Sequence, residues 1–415
     1  VATLNRTVIF QNPYRPGAGH MPPHLAGREK EHKEFARLLA QQTILENMVL
    51  TGLRGVGKTV LLDAFKPIAM HQGWLWVGTD LSESATVSEE TISVRLIADL
   101  SVATSAVTTN LPVSKAPIGF LDTAPETPTP LTFGLLKAIY DSTPGLVADK
   151  LKAVLEFTYG CLAAENKGRV IFAYDEAQNL ADHVSTNQFP LSLLLDVFQS
   201  IQKKNIPFML VLTGLPTLFP KLIGARTFAE RMFRVVTVGR LNHAESRDAI
   251  RKPLAVAGCP VKFTEESVEV ICQESGGYPY FIQFMCREVF DVFIQQADIA
   301  RPVAVPIDAI QRKLDTDFFA GRWAKVTDRQ RQLLWVTSLL EHCDEEFTIQ
   351  EIMAMSRKQL EKSFSSSHAN QILNSLGEQG LIYKNRFGRY SFAVPLLGKF
   401  VQRTYGQASK ISMAF

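Results

Sequence analysis

The chain has 415 residues, enough for two or three domains, and 46% of them are hydrophobic, so it can bury large cores. Its formal net charge of +3 selects no partner class by itself. Five scattered cysteines (Cys161, Cys259, Cys272, Cys286 and Cys343) form no CxxC pair, which excludes a cysteine zinc site or disulfide framework and fits buried thiols in a reducing cytoplasm. Near the start Arg6 is followed by no long apolar core, so no secretory signal is expected. The most apolar window, residues 206–219, is broken by Pro207, Gly214 and Pro216 and reads as a buried strand rather than a membrane span.

Residues 1–24 are rich in Pro and Gly and read as an extended arm. The run Leu25-Ala26-Gly27-Arg28-Glu29 leads into a helical pattern carried by Phe35, Leu38 and Leu39. Next, Asn47-Met48-Val49-Leu50-Thr51 reads as a strand. Gly52-Leu53-Arg54-Gly55-Val56-Gly57-Lys58-Thr59 follows it and fits G-x-x-x-x-G-K-[ST] at every fixed position. The helix that the motif requires begins at Val60-Leu61-Leu62. In such a loop the glycines let several N–H groups point inward at phosphate oxygens. Lys58 reaches the outer phosphates, the Thr59 hydroxyl ligates Mg²⁺, and the helix N-terminus adds partial positive charge.

A second strand is expected over residues 74–80 and a helix over 89–100. Residues 101–130 carry Thr, Ser and five prolines and read as an irregular insertion or mobile loop. Two helices then lead to Arg169-Val170-Ile171-Phe172-Ala173-Tyr174-Asp175-Glu176, an apolar run ending in two acids. This is the Walker B pattern: a buried parallel strand whose C-terminal edge bears the site. Asp175 would hold Mg²⁺ and Glu176 would orient and deprotonate an attacking water. His183, soon after, reads as incidental.

A helix over 191–204, a buried strand over 207–213 and a last strand over 235–238 complete a βαβ alternation. The fold class is therefore α/β, with a parallel sheet and helices on both faces. A helical lid follows, with Pro302 and Pro306 marking a hinge. A helix over 330–340, the segment 347–352, a helix over 367–379 and two short strands joined by Asn385-Arg386-Phe387-Gly388-Arg389 suggest a winged helix-turn-helix. The expected divisions are an arm (1–24), a core (25–240), a lid (241–305) and a winged-helix domain (306–415).

Charge is unevenly spread. Residues 301–415 hold 16 Lys and Arg against 11 Asp and Glu, and nothing acidic follows Glu378, whereas Lys384, Arg386, Arg389, Lys399, Arg403 and Lys410 do. That suggests an acidic partner, double-stranded DNA first, with a solvated basic face as the alternative. His368, Asn370, Gln371 and Asn374 would reach a groove, and Arg386 and Arg389 the phosphates. Equally, the winged helix could serve as a protein-binding or packing element. No Ser-His-Asp grouping, metal cluster or nuclease motif stands out. Tyr278, Tyr280, Phe281 and Phe284 read as lid core.

With these motifs the chain resembles the AAA+ and STAND P-loop ATPases, in particular the archaeal branch related to origin-recognition initiators. The resemblance covers about residues 20–400. It implies that Arg28 of Leu25-Ala26-Gly27-Arg28-Glu29 lies near the adenine and that Asn12-Pro13-Tyr14 helps wall the base. Thr213 of Leu212-Thr213-Gly214 stands at sensor 1, and Gly277-Tyr278-Pro279 matches the lid's GxP motif. Nucleotide contacts would come from Gly52, Arg54, Gly55, Val56, Gly57, Lys58, Thr59, Val60, Arg28 and Pro279. Catalysis would fall to Lys58, Glu176, Thr213 and Arg231, and the metal to Thr59 and Asp175. Tyr280 stands where many relatives carry an arginine that senses the terminal phosphate. Arg231, among Arg226, Arg231 and Arg234, is the arginine-finger choice. The resemblance implies a slow, regulatory ATP hydrolase using ATP and Mg²⁺. It would act as a DNA-associated switch in replication, transposition or defence, or as a signalling scaffold. A second copy of the chain and another protein are further expected partners; a membrane is not.

Overall fold

The computed structural model describes residues 11–17, 19–109, 129–259, 263–296, 306–386 and 388–412. The chain falls into two compact units: residues 29–51 with 58–237, and residues 1–28 with 52–57 and 238–415.

The first is the sheet unit. Its strands are β1 (Asn47–Thr51), β2 (Leu75–Val77), the short β3 (Thr108–Thr109) and β4 (Thr129–Pro130), then β5 (Val170–Tyr174), β6 (Phe208–Gly214) and β7 (Phe233–Thr237). Five of these form a parallel sheet in the order β2-β5-β6-β1-β7. Every residue of β1, β5 and β6 is buried, as continuous apolar runs require when helices cover both faces. Those helices include Lys58–His71 after β1, Glu89–Thr104 after β2, Pro190–Lys203 after β5 and Leu218–Ala225 after β6. Phe172 packs on Phe198 and Phe208, with ring centroids 5.0 and 5.6 Å apart. Register pairs Leu50 with Thr213 and Tyr174 with Leu212, so β1, β5 and β6 end together at one edge.

At the opposite edge, the buried Asn47 ties the strands together. Its Oδ1 accepts from Leu210 N (2.7 Å) and Gln202 Nε2 (2.9 Å), and its Nδ2 donates to Met232 O (3.2 Å). Gln202 Nε2 also donates to Phe208 O at 2.7 Å.

The expectation of irregular chain from residue 101 is corrected: the helix continues to Thr104, and β3 pairs antiparallel with β4. Ser101 and Thr104 satisfy their hydroxyls on the helix's own carbonyls, Ala98 O at 2.7 Å and Leu100 O at 2.9 Å, so polar side chains do not end it. Residues 110–128, most of the expected insertion, lie outside the described residues. The window 206–219 is not all strand either: after β6 the chain turns and re-enters a helix at Leu218.

In the second, helical unit the arm lies along the lid helices. Tyr14 is buried, donates its hydroxyl to Ile250 O, and stacks on Phe263 at 6.0 Å. Asn12 Nδ2 donates to Asp291 Oδ1 at 2.8 Å. The lid helices are His243–Val256, Glu265–Ser275 and Pro279–Gln296. An Asn242/Glu245 capping box starts the first.

The next element was not expected from the sequence. Ile307–Leu314, a π-helical turn Asp315–Phe319 and Ala320–Trp323 form one helical stretch after Pro306. Its buried face, Ile310, Leu314 and Phe319, was masked by surrounding charge. Phe319 stacks on Phe400 at 4.8 Å, and Phe318 lies 5.2 Å from Phe281, so the lid aromatics extend into this stretch. Pro302 lies outside the described residues. Then come helices Asp328–Ser338, Ile349–Gln359 and Ser366–Glu378, the antiparallel pair β8 (Ile382–Arg386) and β9 (Arg389–Phe392), and helix Leu397–Ser412. Phe347 bridges Tyr390 as a further pairing on this hairpin.

Replacing Asn47 by Ala leaves a buried N–H and C=O without partners, at about 1–3 kcal/mol each. Asn47→Ala is expected to lower stability by about 2–4 kcal/mol in chemical denaturation and to strip the Leu210 amide of exchange protection. A loss under about 0.5 kcal/mol, with Leu210 still protected, would contradict the hub.

Candidate nucleotide-binding site

The loop Gly52–Gly57 belongs with the helical unit. An ideal Cβ on Gly52 would stand 2.3 Å from Val238 O, so only glycine fits there. Gly55 and Gly57 hold φ of 78° and 89°, which L side chains rarely adopt. No atom lies within 4 Å of an ideal Cβ on Gly57. Arg28, 5% exposed, donates from Nη2 to Val56 O (2.8 Å) and Gly239 O (2.9 Å). Its guanidinium therefore braces the loop's backbone. Pro279 opens the third lid helix and sets Tyr280 N against Gly55 O at 3.1 Å. Arg54 Nη1 donates to Gly380 O at 3.1 Å.

Lys58, Thr59 and Val60, the first residues of the helix after the loop, belong with the sheet unit. Thr59 Oγ1 donates to Asp175 Oδ2 at 2.5 Å, joining two motifs 116 residues apart. Asp175 ends on the sheet's edge and is 4% exposed; its Oδ1 accepts from Glu176 N at 2.8 Å. Burial pushes its carboxyl above the usual carboxylate range, against the opposing pull of the Thr59 hydroxyl and the Glu176 amide. Glu176 is exposed and holds a left-handed φ of 52°, a conformation that costs energy in a non-glycine residue. Its carboxylate accepts from Gln178 Nε2. Thr213 Oγ1, fully buried at the end of β6, has no hydrogen-bond partner among the protein atoms, and neither does Thr51 Oγ1. A buried orphan hydroxyl on this edge suits a residue that awaits a ligand or water.

Gln178 and Lys221 were not foreseen. Gln178 Oε1 accepts from Leu215 N at 3.2 Å, and Lys221 Nζ donates to Gln178 O at 2.7 Å, so this turn and the one after β6 are bonded beside Glu176. Burial lowers the Lys221 pKa. The only signal was a lone lysine in the apolar helix LFPKLIGA.

The three arginines before β7 differ. Arg226 makes a two-pronged pair with Asp196 (2.8 and 2.7 Å), and Arg234 pairs with Glu34 at 2.9 Å. Arg231 is exposed and has no ion pair among the described residues. His183 bridges Gln188 through its backbone only. Among the described residues no group of three or more His, Cys, Asp or Glu could hold a metal. Thr59 with Asp175 suits Mg²⁺, which keeps most of its waters and shares phosphate oxygens. None of the described helices is long and apolar enough to cross a membrane.

On the C-terminal helices, His368, Asn370, Gln371 and Asn374 are exposed, and Tyr390 Oη donates to Asn370 Oδ1 at 3.0 Å. Lys384 is exposed and Arg389 half-buried; the side chains of Arg386 and Lys410 lie outside what is described. Lys399 donates to Gln273 O at 3.3 Å and faces Glu274 at 3.9 Å, and Arg403 Nη2 meets Asp315 at 2.5 Å.

A family model described as a domain of unknown function (DUF8462) matches residues 316–401. None of the curated proteins compared matches the chain. Among solved structures, the chain is similar to the Walker-type ATPase paby2304 of Pyrococcus abyssi. The TM-score is 0.55 at 15% identity over 91% of this chain and 96% of that one. The ORC2 protein of Aeropyrum pernix in its ADP form gives 0.52 at 11% identity, covering 94% and 97%. Its ADPNP–ADP complexes give 0.50 at 14%, covering 96% and 98%. The sheet order and these near full-length superpositions give this chain the α/β fold of the Pyrococcus abyssi Walker-type ATPase and the Aeropyrum pernix ORC2 protein.

Proposed function

We propose that the protein binds ATP with Mg²⁺ and hydrolyses it slowly, as a nucleotide-dependent switch of AAA+ type. The observation that carries this reading is the Thr59–Asp175 contact: a loop-end hydroxyl and a buried carboxylate meet, and a cation that both would hold would relieve the carboxylate's burial. Gly52, Arg54, Gly55, Val56, Gly57, Lys58, Thr59 and Val60 would hold the phosphates, with Arg28 bracing the loop and Pro279 aligning the lid. When bound, Mg²⁺ neutralises charge on the phosphate oxygens. Glu176 accepts the water's proton, Thr213 fixes the water or phosphate through its orphan hydroxyl, and Lys58 holds the outer oxygens. Arg231 would act in trans on a second copy, a role supported by its exposure and lack of an ion partner. As functional parts, the arm, core, lid and C-terminal domain keep the boundaries 1–24, 25–240, 241–305 and 306–415.

We read residues 306–415 as a winged helix. Association with double-stranded DNA is supported by the exposed His368, Asn370, Gln371 and Asn374 on one helix. The scaffold reading is supported by Lys399 and Arg403, two basic tail residues engaged by the chain's own Glu274 and Asp315.

Lys58→Ala should raise the Kd for ATP at least about 100-fold in a fluorescent-nucleotide titration, with the fold intact by circular dichroism. Unchanged affinity would remove the phosphate-loop reading. Glu176→Gln should leave ATP affinity within about twofold and cut turnover by about 10²–10⁴; wild-type turnover would mean that Glu176 is not the base. For DNA, the double substitution Arg386→Ala and Arg389→Ala should flatten the slope of log affinity against log salt by about 1.8. Absence of DNA binding by the intact protein at low salt, with and without ATP, would favour the scaffold.

A further inference from the structure

Tyr280 stands on the loop without a cation of its own, yet the helical unit sets one arginine on the loop and another behind the ring that packs on Tyr280. Tyr280 N bonds Gly55 O at 3.1 Å, and its Cβ lies 3.2 Å from an ideal Cβ on Gly55, so the residue sits directly on the loop. Its ring packs on Phe318, with centroids 5.3 Å apart. Arg322, one turn after Phe318, lays its guanidinium over that ring at 4.7 Å and donates from Nη1 to Phe318 O at 2.6 Å. The π-helical turn Asp315–Phe319 makes this possible: its extra residue lets Phe318 reach Tyr280 while Phe319 reaches Phe400.

Arg54 comes from the loop itself and is held by Gly380 O. Gly380, at φ 67°, ends helix Ser366–Glu378, and an ideal Cβ there would stand 3.0 Å from Arg54 Nη1, so the turn is shaped around the guanidinium. Neither Arg54 nor Arg322 has a carboxylate partner among the described residues. Burial and then the Arg54 charge hold the Arg322 guanidinium below its usual pKa range. Two half-buried like charges, one on the loop and one on helix Ala320–Trp323, have no carboxylate partner among the described residues and lack the anion that would make them favourable.

We propose that Arg322 and Arg54 together form an anion subsite for the terminal phosphate of a nucleoside triphosphate, and that Arg54 leaves Gly380 to occupy it. The inference rests on the nucleotide reading above and deepens it. Arg322 replaces, from a different helix, the cation missing at Tyr280. Arg54 can bond either the turn carbonyl or the phosphate. A triphosphate, and not a diphosphate, thereby loosens the turn between helix Ser366–Glu378 and β8.

The test uses the full chain and titrates MgATP and MgADP. Wild type should favour ATP; Arg322→Ala should cut that preference about 10-fold and leave ADP affinity within about twofold, since only the third phosphate is contacted. Arg322→Lys keeps the cation and should restore part of the preference, which a merely structural role would not do. Hydrogen exchange over residues 376–386 should be faster with ATP than with ADP in wild type and equal in Arg54→Ala. An unchanged ATP-to-ADP ratio in Arg322→Ala, or nucleotide-independent exchange in wild type, overturns the subsite while Lys58→Ala still abolishes binding of both nucleotides. Failure of wild type to bind either nucleotide, or normal binding by Lys58→Ala, overturns the underlying nucleotide reading as well.

Discussion

The sheet unit turns on one contact, the Thr59 hydroxyl on the buried Asp175 carboxylate. It requires the helix Lys58–His71 to begin one residue before Thr59, and a strand β5 apolar enough to carry an acid to 4% exposure. It also requires a parallel order that ends β1, β5 and β6 at one edge. Each is a consequence of the same fact: a parallel sheet covered on both faces has only its strand ends on which to place polar chemistry. A carboxylate left there by itself is unfavourable, which is why its pKa is displaced and why a cation beside it would be stabilising.

The opposite edge uses the same logic for a different end. Asn47 is as buried as any strand residue, but every polar atom of its amide has a partner. Thr51, four residues later, and Thr213 in the neighbouring strand have none. At the Asn47 edge the amides are satisfied and one indole donor, Trp74 Nε1, lacks a partner; the other edge carries two orphan hydroxyls, each able to donate and to accept, and so has more unused capacity for a ligand.

Motif-bearing segments were legible because their chemistry is local. The glycine spacing of residues 52–59 and the apolar run before Asp175 each dictate their own conformation, and the sheet followed from their alternation with helices. The helix end at Thr104 and the stretch 307–323 were not legible. In the first, Ser and Thr read as loop formers, but their hydroxyls had carbonyl partners one turn back. In the second, Ile310, Leu314 and Phe319 are too sparse a stripe to outweigh the charges around them until Phe400, some 80 residues on, supplies the opposing surface. The contacts of Gln178 and Lys221 were hidden for a related reason: Gln178 meets Leu215 and Lys221, partners that sequence spacing does not bring near.

Arg28, expected near the base, donates to Val56 O and Gly239 O. Gly55 O is bonded by Tyr280 N, and Arg54 by Gly380 O. The phosphate-type loop is therefore tied within the helical unit at three points: at Arg28, at the lid's GxP turn and at the turn before β8. Two of them, on Val56 O and Gly55 O, hold backbone carbonyls. The tie to Gly380 is the one made by a flexible, charged side chain rather than by backbone or a buried guanidinium. It is consequently the tie that an anion on the loop can compete for at the lowest cost, and the one through which occupancy of the loop would be felt in the C-terminal helices.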